Sequence, residues 1–382
     1  MPIVLIAAAI PMTDNYADLK PGMPESVGMS PSVLERARSL LADAVQERSV
    51  TAASIFVARR KTIVLSEGFG RLTPDDGSPA VDADSVFLIA SITKPVTGCA
   101  MMMLVDRGVV ALDDPVSKYI SEFEGGERGK VLVRNLLTHT SGLPDMLPEN
   151  TSLRRAHAPL GDFVKGATKT PLLYSPNTSF RYQSMGILLA AAIIERVTGE
   201  RLRDFEEREI FVPLGMTRSA LGLSRFKIPE TVWCGVGKPP YSEDEERFGA
   251  NSTYWRDMGH PWGGMHSSAP DLGVLLQTML NGGEYGGKRL FSPASVEAMV
   301  ADQNKRIDAP WGFGWALADS LVWNFFGDLV SSSTFGHTGA TGTVFWADPE
   351  RDLVCVILTN QMVEDGALLK RVSNVVSAAV VE

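Results

Sequence analysis

The chain is short of several things, and each shortage closes off a class of chemistry. Only three cysteines occur in 382 residues, Cys99, Cys234 and Cys355, far apart and with no C-x-x-C. That count excludes a disulfide framework. Cys99 and Cys355 stand in apolar periodic runs, where cysteine behaves as a small core residue. With no C-x-x-C to pair with any of the five histidines, neither a metal nor any other cofactor is expected. Positive charge is also scarce. Lys and Arg total 36 against 45 Asp and Glu, a net charge of −9 with pI near 5.2, which argues against nucleic acid or an anionic membrane as partner. The apolar run Ile3–Ile10 is too short to span a bilayer, and no positive residue precedes it, the first lysine being Lys20. Export is therefore not expected, and the location expected is the cytoplasm. No G-x-S-x-G elbow occurs. The phosphate-loop mimic at 282–288 is followed by Arg289 instead of Ser or Thr and preceded by a helical pattern, so it is rejected.

At 382 residues, with 45% hydrophobic and 21% charged residues, the chain reads as a soluble globular protein of two subdomains. Helical spacing covers Pro31 to about Gln46, with Ser30 as N-cap. Two strands follow, Ala53–Ala58 and Thr62–Leu65. Short helices are expected from Leu112 and over Val133–Thr138, a strong apolar one over Met185–Val197 and a charged one over Arg201–Ile210. Further helices are expected over Asp271–Leu280 and Pro293–Val300. The acidic run Glu243–Glu246 reads as a solvated face. Strands return at Phe313–Leu317, Thr334–Gly336, Thr343–Ala347 and Leu353–Leu358, and Ala367–Val380 closes the chain as a helix. Strands at both ends with helices between predict an α/β domain built from 1–95 and 265–382, with a helical domain, 96–264, inserted. The cleft between such lobes is where a ligand would sit.

The stretch that organises this pattern is Ser91-Ile-Thr-Lys94. Apolar residues from Ile92 to Leu104 fall on one face of a helix that Ser91 opens and Gly108 ends. Ser91 and Lys94 leave the same side of its N-terminus, where free N–H groups and the helix dipole favour developing negative charge. A lysine one turn away can take the hydroxyl proton if burial disfavours its own charge. A second Ser-x-x-Lys, Ser224–Lys227, has no apolar period behind it and reads as loop. Tyr182-Gln-Ser184 puts a phenol and a hydroxyl at the start of the Met185 helix. A nearby ammonium would lower the phenol pKa and fit Tyr182 for general-base work on Ser91. Gly336-His-Thr-Gly339-Ala-Thr-Gly342 is a glycine-rich strand whose N–H groups could complete an oxyanion hole with that of Ser91. His139 beside Ser141 lacks an identifiable acid partner, which disfavours a Ser–His–Asp triad.

Ser91-x-x-Lys94, Tyr182-x-Ser184 and His337-Thr-Gly339, in that order, resemble the serine β-lactamase-like, penicillin-recognising family. The nearest groups are the class C β-lactamases, D,D-peptidases and family VIII carboxylesterases. The likeness spans nearly the whole chain and includes Leu136-Leu-Thr-His-Thr-Ser-Gly-Leu143, Ile193-Ile-Glu-Arg-Val-Thr-Gly199, Gly263-Gly-Met-His-Ser-Ser-Ala-Pro-Asp-Leu272 and Trp311-Gly-Phe-Gly-Trp315. The resemblance implies an antiparallel sheet flanked by helices, with an active site between the sheet domain and an all-helical subdomain. It implies Ser91 as acylated nucleophile, Lys94 and Tyr182 as the proton-transfer pair, and the N–H groups of Ser91 and Ala340 as oxyanion hole. Ser184, His337, Thr338 and Gly339 would then bind substrate. The family's Tyr-x-Asn is here Tyr182-Gln-Ser184, which loses an amide, and its Lys-Thr-Gly is here His337-Thr-Gly339, which loses a permanent cation. That loss weakens anionic substrates more than neutral esters. The expected activity is therefore carboxylesterase action on short neutral esters. The alternatives are a β-lactamase or D-amino-acid peptidase or amidase, or an inactive binding protein of the same fold. The partner expected is a small ester, amide or β-lactam; the sequence says nothing of oligomeric state.

Overall fold

The computed structural model describes residues 18–75, 77–236 and 242–382. The Ile3–Ile10 run lies outside them. Among the described residues no helix is long and apolar enough to cross a membrane.

Both ends of the chain build one seven-stranded sheet. Its order is Lys20–Pro21, Thr62–Gly70, Ala52–Arg59, Leu353–Thr359, Thr343–Asp348, Phe335–Gly339 and Ala316–Leu317. All neighbours are antiparallel except the first pair. Every residue of Ala52–Arg59, Thr343–Asp348 and Leu353–Thr359 is buried, because helices cover both faces. The Pro31–Gln46 and Ala367–Ala378 helices pack with one face through Leu34, Leu41, Val57, Trp346, Leu369 and Val372. The Ala269–Leu280 helix lies on the other. It sits so close there that a Cβ on Gly273 would come 2.4 Å from the Phe56 ring. The fold is thus the mixed α/β arrangement expected, an antiparallel sheet flanked by helices.

Several elements differ from expectation for identifiable reasons. The helix behind Ser91 runs Thr93–Asp106 and is buried on all sides from Thr93 to Leu104. It is a central helix, with the Ser184–Thr198 helix against it, where periodicity had suggested one buried face. The strand begun at Thr62 continues past Leu65 to Gly70, and Phe313–Leu317 contracts to Ala316–Leu317. The expected Thr334–Gly336 strand lies at Phe335–Gly339, which puts His337, Thr338 and Gly339 in the sheet. At Leu112 there is no helix, only a 3-10 turn over Val116–Lys118. The charged helix starts at Leu202 and passes through a π-turn, Glu207–Phe211, before ending at Leu214. A small sheet of Phe87–Leu88, Met265–Ser267 and Ala220–Leu221 was not foreseen. It joins residues on both sides of the expected 264/265 boundary. One apolar cluster, with Phe56, Val96, Leu136, Ile193 and Leu275, likewise runs through both layers.

Candidate active site

The Phe87–Leu88 strand delivers the chain to Ser91 through a strained step. Ala90 has φ 47, a left-handed conformation that a residue with a Cβ adopts only when its surroundings enforce it. The enforcement is visible. Thr93 Oγ1 donates to Ala90 O at 2.7 Å and accepts from Met265 N at 3.1 Å, tying the turn to the small sheet. From the other side, Thr341 Oγ1 donates to Leu88 O at 2.7 Å and Thr343 Oγ1 to Ile89 O at 2.9 Å. A Cβ on Gly339 would stand 2.2 Å from Ile89 O, so only glycine lets the Phe335–Gly339 strand come this near. The exposed turn residue Ala340 is thereby brought beside the Ser91 segment. Its N–H and that of Ser91 donate no hydrogen bond outside their own elements among the described residues.

Lys94 Nζ lies 3.0 Å from Ser91 Oγ and 2.8 Å from Trp262 O, to which it donates. The side chain is buried, and burial lowers the amine from 10.5 to about 7, with the Asp145 carboxylate acting weakly in the opposite direction. An amine half neutral at pH 7, in contact with a hydroxyl, can accept its proton.

Tyr182 reaches the same point from the helical side. The Lys94 ammonium nitrogen is 4.8 Å from the Tyr182 ring centroid. The buried phenol oxygen faces Ser91 closely enough for that hydroxyl to favour the phenolate, although it makes no hydrogen bond of good geometry. Burial outweighs this, so the phenol is raised well above its usual 10. The expectation that Lys94 makes Tyr182 basic is therefore corrected. Desolvation moves the amine down and the phenol up, so of the two groups the amine is the one that loses its proton more readily here.

The four residues expected to bind substrate are all buried. Ser184 Oγ donates to Asp145 Oδ1 at 2.7 Å, and Thr338 Oγ1 accepts from Phe325 N at 3.2 Å. His337 Nδ1 is 2.7 Å from Thr338 O, and burial lowers the ring to about 3. His337 therefore carries no charge at neutral pH. Gly339 acts through the space it leaves. Ser184 and Thr338 thus spend these hydrogen bonds within the protein, whereas His337 Nε2 has no partner among the described residues.

Other residues gather here that sequence patterns had not assigned. His139, buried and held neutral by desolvation, accepts from Gln183 N at 3.2 Å. Its ring centroid is 4.6 Å from that of Tyr182 and 4.8 Å from that of Trp311. Ser141 Oγ pairs with the Gln183 amide at 2.6 Å, not with His139, so there is no Ser141–His139 couple. Trp323, with φ 58, sets its ring 5.4 Å from that of Tyr182. Below the site, Thr97 Oγ1 donates to Pro261 O at 3.0 Å and touches the buried Glu206 carboxyl, which desolvation raises to about 8. The Leu136–Leu143 and Trp311–Trp315 motifs were the available signals for His139 and Trp311; nothing local marked Trp323, Asp145 or Glu206.

The likeness to known proteins extends over most of the chain. A family model described as Beta-lactamase matches residues 37–378. A putative D-alanyl-D-alanine carboxypeptidase of Escherichia coli O157:H7 is 29% identical over 381 residues, covering 91% of this chain and 86% of the relative. Among solved structures, a penicillin-binding protein homologue from Caulobacter crescentus superposes with TM-score 0.74 at 21% identity, covering 92% of this chain and 98% of that one. A family VIII carboxylesterase superposes with TM-score 0.70 at 20% identity, covering 93% and 99%. Both structures share the fold.

Proposed function

The chain belongs to the beta-lactamase family, and from that premise we propose that it is a serine carboxylesterase working through an acyl-enzyme on Ser91. The observation that carries this reading is the 3.0 Å contact between Ser91 Oγ and a Lys94 amine that burial brings to about 7. Neutral Lys94 takes the Ser91 proton as Oγ bonds to the ester carbonyl carbon. The N–H groups of Ser91 and Ala340 receive the oxyanion. As the tetrahedral adduct collapses, the carbon–oxygen bond to the alcohol breaks. The proton passes from Lys94 through Tyr182 to the departing oxygen. Water then repeats the sequence on the acyl-enzyme, with Lys94 again as base, and the acid leaves.

Esters are favoured over substrates with a carboxylate because the strand position where the family has a lysine carries a neutral, buried His337. The relative named as a D-alanyl-D-alanine carboxypeptidase supports a second reading, cleavage of D-amino-acid peptides. One panel separates them: short p-nitrophenyl esters, nitrocefin and a D-Ala-D-Ala peptide, with Ser91→Ala as control. The ester reading requires kcat/KM on the esters to exceed the others by at least about a hundredfold, with loss of more than about 10³-fold in Ser91→Ala. Faster turnover of the peptide reverses the order. Full activity in Ser91→Ala removes the mechanism.

A further inference from the structure

Asp145 is an exposed residue tied to the start of the Ser184–Thr198 helix. Its Oδ1 accepts from Ser184 Oγ at 2.7 Å and its carbonyl from Ser184 N at 3.3 Å, two residues from Tyr182. Its second carboxylate oxygen makes no hydrogen bond or ion pair among the described residues. Its charge is nevertheless felt at both Lys94 and Tyr182.

Among the described residues no lysine or arginine forms an ion pair with it, and the only cationic group on which its charge acts is the partly neutral Lys94 amine. His337 and His139 are neutral, and the Lys94 amine is engaged with Ser91 and Trp262. Arg181, next to Tyr182 in the chain, is exposed, and its charge acts on Tyr174. The aromatic rings of Tyr182 and Trp323, 5.4 Å apart and each half-buried, add faces that attract cations. The net charge of −9 steers in the same sense.

We propose that this site selects acyl donors bearing an ammonium group near the scissile carbonyl, with Asp145 as the carboxylate that receives it, and turns away those bearing a carboxylate. The inference rests on the Ser91 acyl-enzyme reading and specifies its substrate class.

The test uses three p-nitrophenyl esters of matched length on the full chain: the neutral hexanoate, the 5-(trimethylammonio)pentanoate and the mono-ester of adipic acid. A second matched set places the charge in the alcohol. The quantity read is the ratio of kcat/KM for the cationic ester to that for the anionic one, in either set. The expected ratio is at least about tenfold at 20 mM salt, shrinking several-fold at 0.5 M as screening removes an exposed interaction. Asp145→Asn brings the ratio towards one, Asp145→Lys inverts it and Asp145→Glu restores it. A residue that only holds the Ser184 turn would change all three esters alike. The salt dependence of the unaltered protein needs no variant to fold. Neutral-ester turnover with a ratio near one in both sets, or an unchanged ratio in Asp145→Asn, overturns the inference and leaves the esterase standing. No ester turnover, together with failure of a fluorophosphonate to label Ser91, takes down both.

Discussion

The acid limb of the pH–rate profile is where the active-site geometry commits itself most. Displacing a lysine from 10.5 to about 7 corresponds to about 5 kcal/mol against the ammonium. Nothing near Lys94 offsets that burial except the modest pull of Asp145. If the neutral amine is the base, the active fraction of free enzyme is about 9% at pH 6, about half at pH 7 and about 91% at pH 8. With a neutral p-nitrophenyl ester, kcat/KM should therefore rise about tenfold from pH 6 to pH 8 and then level off. Asp145→Asn removes the one charge that favours the ammonium, so it should move the limb to lower pH. A base that depended on the Tyr182 phenolate behaves differently, because that phenol lies well above 10. The rate would then climb about tenfold per pH unit through pH 9. Stopped-flow measurement with background hydrolysis subtracted distinguishes the two. A limb centred at pH 9 or higher, or a flat profile from pH 5 to 9, refutes the assignment of Lys94 as base.

Tyr182→Phe keeps the ring against Lys94 but removes the proton carrier, so kcat should fall about 10²–10⁴-fold while the limb stays near pH 7; a shifted limb with unchanged kcat would contradict that role. Gly339→Ala puts a Cβ 2.2 Å from Ile89 O and 2.3 Å from Thr343 Oγ1. Thermal unfolding should register about 1–3 kcal/mol lost, and ester turnover should drop at least about a hundredfold as Ala340 moves away from Ser91. Glu206 has a carboxyl raised from 4.5 to about 8, so the unfolded chain releases its proton first and stability should fall as pH rises through that window. The loss is a few kcal/mol at most by pH 8, and denaturant titrations of Glu206→Gln should show that slope removed; an unchanged slope assigns it elsewhere.

How much of this was legible depends on how local its cause is. The Pro31–Gln46 helix was readable because its caps and apolar spacing lie within it, and its bounds agree with expectation. Ser91, Lys94 and Tyr182 were legible as motifs, and they meet. Their charge states were not, because burial at Lys94 and Tyr182 comes from Trp262, His139 and Trp311, remote in sequence. The Phe87–Leu88, Met265–Ser267 and Ala220–Leu221 strands are two or three residues long, too short for an alternating pattern to register. The left-handed Ala90 could not be anticipated either, since alanine carries no preference for that conformation. It is held by the Thr93 hydroxyl on its own carbonyl and by threonine side chains that arrive from Thr341 and Thr343.

That arrival has a consequence during synthesis. The central strand Ala52–Arg59 finds one of its neighbours only at Leu353–Thr359, some three hundred residues later. Pairings this distant close late. A nascent chain that has emerged through the Ser184–Thr198 helix already holds the serine, the amine and the phenol, but neither the hydroxyls that hold the Leu88 and Ile89 carbonyls nor the Ala340 amide. On the Ser91 acyl-enzyme reading, hydrolysis would then await the docking of the strands from Phe335 to Thr359.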